Sequence, residues 1–291
     1  MKIKKFDVLN YTMLFVLSAI FILPLLYVFF LSLSDSFLIA DGTFRFLPIG
    51  INFKAYSVIF QYDAVWIGYR NSILYAVSGT LLTLVLCSFP GYVLSVQEFR
   101  PKRLFTVFFS ITMFFNGGII PTFLVIKTLG LLDSIWSIII IPALSAWNII
   151  LFRTNFKQIP ASLTESAKMD GAGHFWIFAR IVAPLSKPVF AVLSIFSIVG
   201  FWNSYFSALL YLSSPNKQPL MILLRKLTII GNVRGESESI IFALGQTISG
   251  LGMERAMKAA VIICSILPIV MLYPFMQKYL AKGIMIGAIR G

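Results

Sequence analysis

"YTMLFVLSAIFILPLLYVFFLSL", residues 11–33, is a run of 23 residues without an Asp, Glu, Lys, Arg or His. Coiled as a helix at about 1.5 Å per residue, such a run reaches roughly 30 Å, the thickness of a bilayer's hydrocarbon core. Five more charge-free runs follow, at 71–94, 104–126, 134–152, 189–212 and 259–277. The whole 291-residue chain is 58% hydrophobic and 12% charged, against about a quarter charged in soluble domains. A backbone crossing lipid must satisfy its own hydrogen bonds, and runs this long do so as helices. The expectation is an all-α polytopic membrane protein: six transmembrane helices in one domain, 1–291, around a core at 71–280. Lys2, Lys4 and Lys5 precede the first run as in a signal peptide. That run is too long for a signal core and no small-x-small cleavage pattern follows it, so it reads as a retained helix.

Basic residues orient the chain. With the N-terminus inside, the pieces 1–10, 95–103, 153–188 and 278–291 hold 14 Lys/Arg against 4 Asp/Glu, and the outer pieces hold 10 against 7. This positive-inside asymmetry places both termini of a multi-pass membrane protein in the cytoplasm. The net charge of +13 is then topology and lipid-headgroup attraction, with no nucleic-acid partner. Cys87 and Cys264 both fall inside apolar runs and read as packing residues, not as a disulfide or a metal pair.

Structure breakers interrupt the later runs: Pro90-Gly91, Asn116-Gly117-Gly118 with Pro121, Pro142, Gly200, and Pro268 with Pro274. Breaks at membrane depth survive where protein or a wet cavity covers the freed backbone, although Gly and Pro also serve ordinary packing. Two outer loops, 34–70 and 213–258, are long enough to dock an external partner or simply to cap the helix ends. Inside the runs there is no carboxylate, histidine or arginine for proton coupling or voltage sensing. The chain has no phosphate loop, no H-E-x-x-H, no G-x-S-x-G and no zinc-spaced cysteines. No catalytic residue, metal site or cofactor is expected. Such a protein is a passive channel, a membrane scaffold, or one subunit of a machine powered elsewhere.

The polar segment "SLTESAKMDGAGHFWIFARIVAP", residues 162–184, decides among these. Ser162 to Glu165 form a capping box, so a helix should start there and stop near Gly171 or Gly173. Leu163, Ala167 and Met169 or Asp170 mark one side of it, and His174 to Pro184 reads as a second short helix ending before Pro184. A small-residue helix with a sharp stop suits a groove in another protein, or a place on the lipid surface. His174 has no catalytic partner and reads as a surface or interface residue.

The same residues resemble the cytoplasmic motif of permease subunits of binding-protein-dependent ABC importers: Glu-Ala-Ala, three residues, Gly, nine residues, Ile-x-Leu-Pro. Here Glu165, Ser166 and Ala167 fill the triplet, Gly171 follows at the right spacing, and Ile181 and Pro184 close it, with Ala183 for Leu. "FWNSYFSALLYL" at 201–212, "NGGIIP" at 116–121 and the tail "YPFMQKYLAKGIMIGAIRG" resemble the carbohydrate branch, near alginate and pectin-fragment importers.

That resemblance implies a coupling segment at 160–184 between the fourth and fifth helices, with Ser162, Leu163, Glu165, Ser166, Ala167, Asp170, Gly171 and Ala172 meeting an ATPase. It implies as partners a second homologous permease, two copies of a cytoplasmic ATPase holding the ATP and magnesium, and an extracytoplasmic solute-binding protein. The tail near 283–291 would also reach the ATPase. The cargo would be a sugar, an oligosaccharide with acidic ones in range; an amino-acid or peptide importer is the alternative within the class. Sugars offer hydroxyls and flat C–H faces, so Asn116, Trp147, Asn148, Trp202, Asn203 and Tyr205 are the candidate substrate path. For an acidic sugar, Arg70, Arg225 or Arg234 at the outer mouth could draw it in.

Overall fold

The computed structural model describes residues 5–229 and 251–288. In chain order the helices are α1 (Lys5–Leu33), α2 (Ser36–Ala40), α3 (Lys54–Phe60), α4 (Asp63–Ser95), α5 (Lys102–Phe114), α6 (Ile119–Thr128), α7 (Ile135–Ala143) and α8 (Ala146–Phe156). They continue with α9 (Ala161–Met169), α10 (His174–Leu185), α11 (Lys187–Trp202), α12 (Tyr205–Tyr211), α13 (Leu220–Ile229) and α14 (Leu251–Ala288). No strand occurs among the described residues.

Three helices, α1, α4 and α14, are individually long and apolar enough to cross a membrane. Three further candidate spans are helix pairs bent at a short break: α5 with α6 by 114°, α7 with α8 by 43°, and α10 with α11 by 80°. The described residues therefore hold three to six candidate spans, and the runs at 104–126, 134–152 and 189–212 are each broken rather than single helices. The causes are local. Between α5 and α6 the side-chain oxygen of Asn116 accepts the Gly118 N–H at 2.9 Å, and Gly118 takes φ +87°, a turn that competes with the helix. Between α7 and α8 the break lies at Leu144 and Ser145, two residues past Pro142. The buried Cys87 thiol donates to the freed Ala143 carbonyl at 3.3 Å, and the Ser145 hydroxyl caps α8 by accepting the Asn148 N–H. Cys87 and Cys264 are both buried and free.

Contacts within the chain gather into two compact units, Met1–Trp66 with Leu223–Pro268, and Ile67–Ile222 with Ile269–Gly291. In the first, no residue of α1's most apolar stretch is buried, as in a helix greasy on every side that lipid or another chain covers. The segment after α1 is pinned by Asp35, whose carboxylate accepts the Phe37 N–H at 2.8 Å and the Asn52 amide at 2.9 Å. Gly252 of α14 lies so close to Ser36 that a Cβ there would sit 1.7 Å from the Ser36 carbonyl oxygen.

The second unit is built on α4. Near Tyr75 it packs with Ile126, Ile138, Ile139, Tyr211 and Ile222; near Tyr92 it packs with Phe152, Phe156, Ala167, Phe178 and Leu193. Glycines let the neighbours approach: Gly79 faces the Phe201 ring of α11, and Gly91 faces Phe152 and the α8 backbone.

At the Tyr75 end the loop after α12 is clamped. Asp133, held at φ +53°, accepts the Ser213 N–H at 3.0 Å, the Ser214 N–H at 2.9 Å, the Ser214 hydroxyl and the Lys217 ammonium. From α4, Tyr75 donates to the Lys217 carbonyl at 2.6 Å and Asn71 to those of Asn216 and Gln218. The Ser214 donors, then Lys217, hold the Asp133 carboxyl well below the usual carboxylate range. Because the folded pKa is depressed, the stabilisation is complete above the unfolded value near about 3.9 and is lost as pH falls through the folded value. Asp133→Asn is therefore expected to flatten the acid limb of thermal stability between about pH 4 and 2 relative to wild type. Identical acid limbs in the two proteins would show that the clamp carries no such linkage.

Candidate functional site

The site is the hairpin α9–α10 and the end of α4 that supports it. Pro160, with φ −55° and ψ 127°, turns the chain from α8 into α9, and its carbonyl accepts the Leu163 N–H. This corrects the capping-box expectation. The proline sets the entry two residues earlier, so Ser162 and Glu165 lie inside the helix and no side chain caps it. The far end matches the sequence reading. Met169 is the last helical residue, the Gly171 N–H bonds the Lys168 carbonyl and the Ala172 N–H bonds the Ala167 carbonyl, both at 2.9 Å. Gly171 takes φ +81°, the left-handed cap that this reciprocal pair requires.

Of the residues assigned to one side of α9, Ala167 alone is buried; Leu163, Met169 and Asp170 are exposed. Leu163, Ala167 and Asp170 stand four and three positions apart and so share a face. Leu163 lies in the first turn and Asp170 past the last, however, and only the small Ala167 between them packs into the cluster of Phe156, Phe178 and Tyr92. Glu165, Ser162, Ser166 and Gly171 are exposed, and Ala172 is half-buried against the same cluster. Phe175 and Trp176 add exposed apolar surface, with Phe175 stacked at 6.2 Å on Phe89 of α4. Helix α9 therefore turns one small residue inward, while α10 buries Ile177, Phe178 and Val182, and the hairpin offers a mixed apolar and carboxylate face outward.

Beside these apolar contacts, an ion pair and a tyrosine–histidine contact tie the hairpin to the α4 end, and neither was legible in the sequence. The Lys168 ammonium pairs with Glu98, 70 residues earlier, and the Tyr92 hydroxyl lies 3.4 Å from Nδ1 of His174. Lys168 holds the exposed Glu98 carboxyl below its ordinary value. The lone acid in "SVQEFRPKR" was the only hint of a partner. A cleft of about 400 Å³ opens alongside, bounded by Tyr92, Glu98, Lys102, Lys157, Glu165 and Lys168.

The second helix also departs from expectation: α10 runs through Pro184 to Leu185. A π-turn at Phe178–Val182 precedes the proline, and the Ala183 N–H reaches back to the Phe178 carbonyl. The widened turn absorbs the donor that Pro184 lacks, so the chain bends at Ser186 instead.

The substrate-path candidates all lie at or beside helix breaks. Asn116 occupies the α5–α6 turn and is exposed. Trp147 is exposed and Asn148 half-buried in the first turn of α8. Asn203 ends α11 and Tyr205 starts α12, both exposed. Trp202 is instead buried, its ring 6.3 Å from that of Tyr69. Arg70 precedes Asn71 on α4, Arg225 lies on α13, and Arg234 lies outside the described residues, as do the last three residues of the tail.

No group of His, Cys, Asp and Glu among the described residues is placed to hold a metal. Residues 64–286 match the family described as binding-protein-dependent transport system inner membrane component. Over 297 aligned residues, covering all of both chains, the sequence is 37% identical to the polygalacturonan/rhamnogalacturonan transport system permease protein YtcP of Bacillus subtilis (strain 168). It is also 37% identical to protein LplC of the same organism, across 98% of this chain and 95% of that one. Among solved structures, it matches a chain of a bacterial ABC transporter involved in the import of the acidic polysaccharide alginate. That match has a TM-score of 0.84 and 34% identity, and covers 94% of this chain and 96% of the other.

Proposed function

We propose that this chain, which belongs to the inner membrane components of binding-protein-dependent transport systems, is a permease half that admits oligosaccharides, acidic ones included, to the cytoplasm. The end-to-end likeness to a polygalacturonan/rhamnogalacturonan permease carries this reading. We take the chain as one permease domain of six spans with both termini cytoplasmic; the charge asymmetry supports the orientation, and counting each bent pair as one span supports the six. A second, homologous permease, two ATPase copies and an external binding protein complete the machine. The family is not catalytic and binds no cofactor, so ATP is hydrolysed on a partner.

In this reading α9 is the coupling helix. Its inward Ala167 and outward Glu165, Ser166 and Asp170 support that role, because the small residue seats the helix while the carboxylates stay free to meet an ATPase groove. Closure of the ATPase pair would draw the coupling helices together and rock the permease halves from inward-open to outward-open. Asn116, Trp147, Asn148, Asn203 and Tyr205 remain the proposed sugar path; helix breaks supply free backbone groups beside them for hydroxyls. Trp202, packed on Tyr69, would act there by supporting Asn203.

The test is reconstitution with partner permease, ATPase and binding protein in proteoliposomes. ATP-dependent uptake of an oligogalacturonate is expected, lost on omission of either ATP or the binding protein. Uptake by the isolated chain without ATP would sink the reading in favour of a facilitator, and uptake of neutral oligosaccharides alone would remove the acidic substrate.

A further inference from the structure

Lys102 opens α5, and Lys157 caps the C-terminal end of α8, on which Arg153 stands one turn earlier. Helices α5 and α8 pack together, and both lysines border the cleft beside α9. None of the three cations pairs with a carboxylate among the described residues, and the Lys102 ammonium donates to the Gln97 carbonyl at 3.0 Å. The cleft's acids do not relieve them: Glu98 is engaged by Lys168, and Glu165 makes no ion pair. Nε of Arg153 is buried without a hydrogen-bond partner. Partial desolvation, then the charges of Arg153 and Lys102, push the Lys157 ammonium below its ordinary value although the side chain still reaches water.

The α8 C-terminus attracts cations, and a basic loop orients a membrane protein without any ligand. Neither explains a buried, unpaired guanidinium nitrogen, since a charge needed only for orientation does best in water. The three groups stand at the ends of candidate spans, where a chain leaving the bilayer core would meet headgroups. An anion with several acceptor oxygens would satisfy the guanidinium and both ammonium groups at once.

We infer that Lys102, Arg153 and Lys157 form a binding site for a phosphate-bearing anion beside the coupling hairpin. Its source is an anionic phospholipid headgroup of the adjoining leaflet or soluble phosphate. Occupied, the site would brace the α8 end from which Pro160 launches α9. The inference rests on the membrane reading but not on the sugar, so its failure would leave ATP-driven uptake untouched.

The intact importer is purified, stripped of lipid and presented with phosphatidylglycerol or phosphatidylcholine, with and without excess inorganic phosphate; bound lipid is read by native mass spectrometry. Phosphatidylglycerol is expected to be retained and phosphatidylcholine not. The Lys102→Gln/Arg153→Gln/Lys157→Gln variant should bind it about 100-fold more weakly, at roughly one kcal/mol per surface charge. Retention that survives phosphate identifies a lipid site, and displacement by phosphate identifies a soluble-anion site. Arg153→Lys, which keeps the charge, should retain binding. Should the triple variant fail to assemble, exposed Lys157→Gln alone should weaken binding severalfold in an assembled importer. Equal retention of phosphatidylglycerol by wild type and an assembled variant overturns the proposal.

Discussion

Gly171→Val is expected to uncouple the importer while leaving it assembled. Gly171 sits at φ +81°, and a Cβ built there meets nothing within 4 Å, so substitution acts through the backbone alone. A residue with a Cβ in the left-handed region costs about 1–2 kcal/mol, more when β-branched, and Asn tolerates the region best. That cost weighs against the two bonds from Gly171 and Ala172 that end α9. An equilibrium shifted by this amount moves roughly 5- to 30-fold, enough to misplace Asp170 and Glu165 in most molecules. Stimulation of ATP hydrolysis by the loaded binding protein should therefore fall about tenfold in Gly171→Val, less in Gly171→Ala and little in Gly171→Asn. Wild-type stimulation in the Val variant would remove the cap from the coupling mechanism. An Asn variant as poor as Val would shift the cause from backbone conformation to contact with a partner.

Gly91→Ala is expected to have the largest effect on stability. The added Cβ would lie 2.6 Å from the Phe152 Cβ and 3.1 Å from the Ile149 carbonyl oxygen. Both obstacles are part of, or fixed to, the α8 backbone, and Phe152 is fully buried, so only separation of α4 from α8 relieves them. Overpacking of this kind costs about 1–3 kcal/mol, a fall of roughly 5–10 °C in unfolding temperature. Phe152→Ala would not rescue it, because the offending Cβ remains. Gly79→Ala is the contrast: its Cβ meets the far edge of the Phe201 ring at 2.5 Å, so Phe201→Leu should restore much of the loss. Tryptophan fluorescence on heating the purified chain reads both. A wild-type melting temperature for Gly91→Ala would mean that α4 and α8 do not pack as described.

These two glycines differ in how visible they were. Gly171 stood in a polar segment, at a spacing that called for a helix stop, and the helix stops there. Gly91 counted only as a breaker beside Pro90, yet α4 runs unbroken through both to Ser95. Within a span the helix's bonds outlast one proline, and the missing Cβ serves a neighbour that lies 58 to 61 residues away. The breaks at Gly118 and Ser145 were half legible. Composition marked the first, but the second fell past Pro142 where Cys87 offers a donor to the freed carbonyl.

By itself the sequence determined an all-helical chain of membrane composition, the location of its polar segment and the sharp stop of α9. Each rests on local chemistry: transfer of apolar runs from water, the cost of charge in lipid and the conformational freedom of glycine. The structure, not the capping-box pattern, showed that Pro160 rather than Ser162 stands at the entry to α9. It also decided that α10 passes Pro184 through a π-turn and that Glu98 finds Lys168. The same holds for Asp133 closing on the 213–217 loop and for three cations without a carboxylate partner meeting at the ends of two helices. Such pairings join residues tens of positions apart, and sequence periodicity carries no information across a turn whose angle it does not set.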